Sequence, residues 1–166
     1  MRHFFLFLAM MAVSTMVSSC GEDDPADPAG AASVEGNVTF VNSGSWPATG
    51  DVQVSIYSFL PVDLVPDGPP DAYTNPIAPG SNEYSFKLQG LDEGQYAAIY
   101  VSWRDPAVPG SATLLGMYWT FVDSVGVASD GVRVIPKAPG PVFLNLTGAA
   151  RNQANLDIVA DLGLAP

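Results

Sequence analysis

The chain is poor in the residues most enzymes rely on, with 1 cysteine and 1 histidine among 166 residues. The histidine is His3, so the chain beyond the N-terminal stretch carries no imidazole. Without it, Ser-His-Asp and Cys-His sites have no general base. Zn²⁺ sites built on His or Cys lose their ligands as well. A lone Cys20 cannot close an internal disulfide. Cations are scarce too: 6 Lys and Arg stand against 17 Asp and Glu, a formal net charge of -11. That balance argues against nucleic acid and against electrostatic docking on anionic lipid. No Gly-rich phosphate loop follows a strand-like segment, which leaves nucleotide chemistry unsupported. No apolar run reaches the about 20 residues a membrane-spanning helix needs, and beyond the first segment no sustained helical period appears.

What is present begins with Arg2 and a short apolar core from Phe4 to Val13, fading into Ser14-Thr15-Met16. Charge, apolar core and small residues in that order describe an export signal over residues 1–19. The segment closes Val17-Ser18-Ser19-Cys20, which resembles the lipobox of bacterial lipoproteins. The resemblance implies cleavage before Cys20 and acylation of its thiol, palmitate included. It also implies anchoring in the outer membrane of a Gram-negative bacterium, with acyl chains holding the protein at about 0.8 kcal/mol per buried methylene. The alternative is a plain secretory signal cut near Ser19, with Cys20 incidental. Residues 20–32 then carry Glu22, Asp23, Asp24 and Asp27 with two prolines and no large apolar side chain. Such a stretch cannot bury itself and is expected to be a disordered tether. Its acids resemble the surface-export signal of Bacteroidetes-type lipoproteins; a solvated linker facing the periplasm is the other reading.

From residue 33 to residue 166 the apolar pattern has period two and is broken by Gly, Pro, Asn and Asp. Val34, Val38 and Phe40 alternate with Glu35, Asn37 and Thr39; Val52, Val54 and Ile56 alternate with Gln53, Ser55 and Tyr57. Tyr84, Phe86 and Leu88 form a third set. Gln95 to Trp103 is apolar on both faces, the mark of a central, covered strand. Leu115, Met117, Trp119 and Phe121 predict one face of a fifth strand, Val132 to Ile135 and Val142 to Leu146 shorter ones, and Leu156, Ile158, Ala160 and Leu162 a last one. About seven to eight short strands predict a single antiparallel all-β sandwich.

Phe86, Leu88, Leu91, Gly94 and Tyr96 resemble the strand–turn–Gly-x-Tyr signature of transthyretin-like, or prealbumin-like, sandwich modules, among them carboxypeptidase regulatory-like domains. The resemblance implies a prealbumin-like fold. Some transthyretin-like proteins are hydrolases, but their activity rests on histidines this chain lacks. Physically, Gly94 permits a tight turn, and Tyr96 can pack its ring while its hydroxyl serves a loop carbonyl.

Few groups remain that could do chemistry. Glu35, Glu83 and Glu93 fall on a wet strand face or at turns, where nothing raises a carboxyl pKa for acid–base work. Asp63, Asp67 and Asp71 offer oxygen ligands, but without Ca²⁺-loop spacing or a bidentate Glu they read as solvated loop acids. The segment from Phe59 to Asn82, rich in proline, exceeds the about 12–15 residues usual for a structureless loop; its apolar content predicts that it packs over a sheet edge. Trp46, Tyr73 and Trp103 are the candidate ligand contacts, as a sugar-stacking platform if exposed, with core or edge packing as the other reading. The expectation is a non-catalytic, lipid-anchored binding or structural module with neither cofactor nor metal, no nucleic-acid partner, and envelope proteins or polysaccharide as partners. The alternative is a carbohydrate-binding accessory lipoprotein of an outer-membrane glycan-uptake system.

Overall fold

A computed structural model describes residues 31–108 and 112–166. The signal, the lipobox and nearly all of the acidic tether therefore lie outside the described residues. Ala32, expected to end the tether, already opens the first strand. The strands are β1 (Ala32–Val41), β2 (Asp51–Tyr57), β3 (Ala72–Tyr73), β4 (Glu83–Leu91), β5 (Gly94–Tyr96), β6 (Ala98–Arg104), β7 (Ala112–Met117), β8 (Val127–Ser129), β9 (Val134–Pro136), β10 (Leu144–Leu146), β11 (Asn152–Gln153) and β12 (Ile158–Asp161). The protein is all-β, as expected.

The period-two pattern sets the pairing of β1 with β4. Val34, Val38, Phe86 and Leu88 are buried while Glu35, Asn37, Ser85 and Lys87 are exposed. Antiparallel register places Val34 opposite Leu88 and Gly36 opposite Phe86. A slip of either strand by one residue would turn that strand's apolar row to water, so the register is strongly specified.

The sheet is mixed, which corrects the antiparallel-only expectation. β11 and β12 both run parallel to β1, on the edge that β4 leaves free. β12 then meets β7 at Ala160 and Gly116, and β7, β6, β2 and β3 continue antiparallel. Alternation tells which face a residue takes, and nothing in it tells strand direction. Close backbone approach makes the crossing feasible. A Cβ on Gly36 would lie 2.3 Å from the Leu156 carbonyl oxygen, and one on Gly116 would lie 2.6 Å from that of Val159. Only glycine fits where the C-terminal chain passes over both strands.

The sheet curls nearly into a barrel, so that Phe86 and Leu88 of β4 share one core with Val54 and Ile56 of β2 and Ile99 and Val101 of β6. The β5–β10 ribbon adds Tyr96, Leu144 and Leu146 to that core. A second cluster lies on the other side of the β2–β6–β7 half, where Tyr57, Tyr100, Leu114 and Met117 pack with Trp119 and Val127.

Two strand expectations change in detail. Gln95 to Trp103 is not one strand: the chain leaves β5 at Ala97 and enters the main sheet as β6. Tyr96 therefore joins the main core, while Ala98 and Tyr100 face the second cluster. The row Leu115, Met117, Trp119, Phe121 does not share a face either. A register shift between β6 and β7 sends Leu115 inward and Met117 outward, β7 stops at Met117, and Phe121 is 56% exposed. A bulge adds a residue to one strand and so reverses the alternation beyond it.

The segment from Phe59 to Asn82 does pack against an edge. It carries β3, and the amides of Asp71, Thr74 and Ile77 donate to the carbonyls of Ile56, Val54 and Val52. Gln53 Nε2 donates to the Thr74 carbonyl at 2.8 Å, and the Val54 amide donates to the Thr74 hydroxyl at 3.1 Å. This satisfies a β2 edge that would otherwise be open to pairing by another chain.

Candidate functional site

The outward residues of β1, β4 and β12 build a concave surface from cross-strand pairs. Glu35 sits opposite Lys87, Asn37 opposite Ser85, and Thr39 opposite Glu83 on one side and Val159 on the other. The Ser85 hydroxyl donates to Asn37 Oδ1 at 2.8 Å, and Asn37 donates from its amide and from Nδ2 to Asp157 Oδ1 at 3.1 and 3.2 Å. Lys87 Nζ and Glu35 lie 3.9 Å apart, both about half exposed. Asn37 thus ties β1 to β4 and to Asp157, the residue just before β12, although asparagine is depleted in strands.

Two depressions share Asn37. One, of about 330 Å³, is bordered by Glu35, Gly36, Lys87 and Asn155. The other, of about 530 Å³, has Thr39, Val41, Ile158 and Val159 along its floor and Glu83, Asp123 and Asp157 among its polar lining, with Val122 alongside. The Phe121–Val125 segment forms its wall because Val125 bridges in parallel to Val159. Val41 and Val122 are 38% and 43% exposed, and Phe121 rests edge-on against Trp119 at 5.0 Å.

The candidate contact aromatics do not meet here. Trp46 is half-buried, lies 5.2 Å from Phe40, and donates its ring N–H to the Ser81 carbonyl at 3.2 Å. Trp103 is half-buried beside Gly50 and donates to the Thr49 carbonyl at 2.7 Å. Trp119 is buried and donates to Ser124 at 2.9 Å. Tyr73, on the edge strand β3, is the exposed one of the three candidates, at 62%. Tyr96 has a buried ring, and its hydroxyl donates to the Asp92 carbonyl at 3.0 Å.

The carboxylates outside this groove are dispersed. Asp63 holds Arg133 at 2.8 Å, Asp71 accepts from the amide and hydroxyl of Ser58, and Glu93 accepts from the Gly148 amide at 3.4 Å. Among the described residues no three His, Cys, Asp or Glu side chains form a metal-sized group. The hydrogen bond from Arg133 holds the Asp63 carboxyl below the ordinary range, and the Arg133 and Val132 amides do the same for Asp130. Both groups are kept ionised as loop anchors. Burial pushes the Tyr57 hydroxyl up, with the Arg104 guanidinium opposing the rise, and burial pushes Tyr100 up further. Tyr57 accepts from Arg104 at 2.7 Å and Tyr100 donates to the Leu64 carbonyl at 2.7 Å, so each phenol is a packing group with a fixed partner.

Sequence reasoning placed Glu35 and Glu83 on exposed positions but missed the surface they share with Asn37, Asp123 and Asp157. The available signal was Asn37 in mid-strand, an unfavourable residue whose presence asks for a side-chain partner. The chain has no match among protein-family models, curated proteins or solved structures.

Proposed function

We propose that the chain is a lipid-anchored, non-catalytic binding or structural module of a Gram-negative cell envelope, held to the outer membrane through Cys20. The observation that carries the reading is the sequence Val17-Ser18-Ser19-Cys20, which holds the chain's lone cysteine and stands ahead of a β body that opens at Ala32. The side-chain chemistry agrees. The carboxylates with perturbed acidity, Asp63 and Asp130, are tied into loop anchoring, and the perturbed tyrosines are tied into packing. The binding face in this reading is the groove on β1, β4 and β12.

Within the same proposal the fold is a sandwich akin to the transthyretin-like modules. Phe86, Leu88, Leu91 and Tyr96 converge in one core, and the β5–β10 ribbon supports an opposing layer. The parallel placement of β11 and β12 marks a departure from a purely antiparallel member.

Membrane fractionation tests the anchor. Cys20→Ser should move the protein from the membrane to the soluble fraction and abolish palmitate labelling; retention in the membrane would overturn the reading. Carbohydrate binding is the second reading, and it rests on the exposed ring of Tyr73. It predicts that Tyr73→Ala abolishes retention on immobilised envelope polysaccharide, and unchanged retention would remove it.

A further inference from the structure

We infer that the larger groove, on the outer face of β1 and β12, docks a basic protein segment in which Lys or Arg flanks aliphatic side chains. The inference rests on the binding-module reading and names the partner's chemistry. Its apolar lining includes Val41 and Val122, partly exposed at the surface, and Val159, half-buried. Its carboxylates Glu83, Asp123 and Asp157 have no cation within ion-pair distance among the described residues, since the ion pairs there are Lys87–Glu35 and Arg133–Asp63. An aliphatic side chain seated on the floor would bring neighbouring ammonium or guanidinium groups to that acidic lining. Charge of this kind speeds and orients docking, and the apolar contact supplies affinity.

Charge complementarity selects this occupant over the others. A second copy brings a net charge of -11 to the same acids. Of its described cations, Lys87, Arg133, Lys137 and Arg104 are already engaged with Glu35, Asp63, the Val125 carbonyl and Tyr57, which leaves Arg151 alone to meet those acids. An anionic lipid surface meets the same repulsion.

The test uses the purified full chain and a fluorescein-labelled peptide of alternating Lys and Leu. Expected is saturable binding that weakens about tenfold with Val41→Ser plus Val122→Ser, and by a similar factor with Glu83→Gln plus Asp123→Asn. Asp67→Asn plus Glu93→Gln, which neutralises acids elsewhere, should leave binding unchanged. These are exposed side chains, and near-UV circular dichroism of each variant checks that the fold is kept. The inference is overturned if no binding is seen, if the valine changes have no effect, or if the distant acids matter as much as Glu83 and Asp123. A dimer in sedimentation that dissociates with Val122→Ser would also overturn it, by making a second copy the occupant. Peptide binding and the membrane fractionation of Cys20→Ser are independent readouts, so failure of the groove and failure of the anchor can be told apart.

Discussion

On β1 and β4 the outward residues Glu35, Asn37, Thr39, Ser85 and Lys87 are exposed, whereas on β2 and β6 the outward residues Gln53, Ser55, Tyr57, Tyr100 and Ser102 are buried. Both halves belong to one sheet and share one inner core. The difference lies in what covers them. The β2–β6–β7 half is roofed by Trp119 and Val127, with Leu60, Val125, Val134 and Leu164 packed around them, while Tyr100 is tied to the Leu64 carbonyl. The roof buries polar atoms as well: Ser55 Oγ, Ser102 Oγ and Arg104 Nε are enclosed without a hydrogen-bond partner. The β1–β4–β12 half stays wet, and its polar side chains pair with one another across strands. A sheet face becomes available for partners where loops do not claim it, and here the segments that carry Leu60, Leu64, Trp119 and Val127 cover one half and leave the other open.

The contrast predicts unequal responses to substitution. The largest effect is expected for Tyr100→Ala in the covered half, where losing a fully buried ring should lower stability by about 3–5 kcal/mol in urea unfolding; Asn37→Ala on the wet half should lower it by under about 1 kcal/mol. Next comes Gly36→Ala. A Cβ there meets the Leu156 backbone, and overpacking of this kind should cost about 1–3 kcal/mol or more; a neutral result would mean that the C-terminal crossing yields easily. Ser102→Ala is expected to act in the opposite direction. Removing an orphaned buried hydroxyl should be neutral or raise stability by up to about 1 kcal/mol, while Ser85→Ala, which strands Asn37 Oδ1 at a solvated site, should be slightly destabilising.

The halves should also differ in alkali. Tyr57 and Tyr100 have folded-state pKa values raised above the ordinary tyrosine value by burial. Their contribution is complete below the unfolded value of about 10 and declines as pH rises through the raised folded values, because the unfolded chain releases those protons first. Thermal midpoints should therefore fall above about pH 10, and Tyr100→Phe should lessen the slope. The smallest effect is expected for Lys87→Ala. Its ion pair with Glu35 is half exposed, so the change should stay under about 0.5 kcal/mol and vanish in high salt.

Much of the β body was legible because alternation survives wherever one strand face meets water. β1, β4 and the buried row Leu156, Ile158, Ala160, Leu162 read correctly for facing, whereas β2 alternates in sequence but is buried on both faces, Gln53 and Ser55 included. Tyr96 was legible because a turn tyrosine has a local partner, in this case the Asp92 carbonyl. The switch of sheets at Ala97, the bulge that parts Leu115 from Met117, and the short strands β3, β8 and β11 were not. Two- or three-residue strands carry too few positions to show a period, and a bulge erases the period locally. The groove was the least legible feature, since Asn37, Asp123 and Asp157 come from separated parts of the chain and meet through non-local pairing.

By itself the sequence determined an all-β body with buried and solvated rows, an acidic composition poor in cations, and a single cysteine, Cys20. Those properties follow from side-chain hydrophobicity, charge and chemical type, which belong to each residue wherever it ends up. Only the tertiary structure decided that β12 lies parallel to β1, that loops roof one outer face and not the other, and that Asn37 meets Ser85 and Asp157. Those outcomes depend on which distant backbones approach closely enough to pair, and here that turned on the missing Cβ atoms of Gly36 and Gly116.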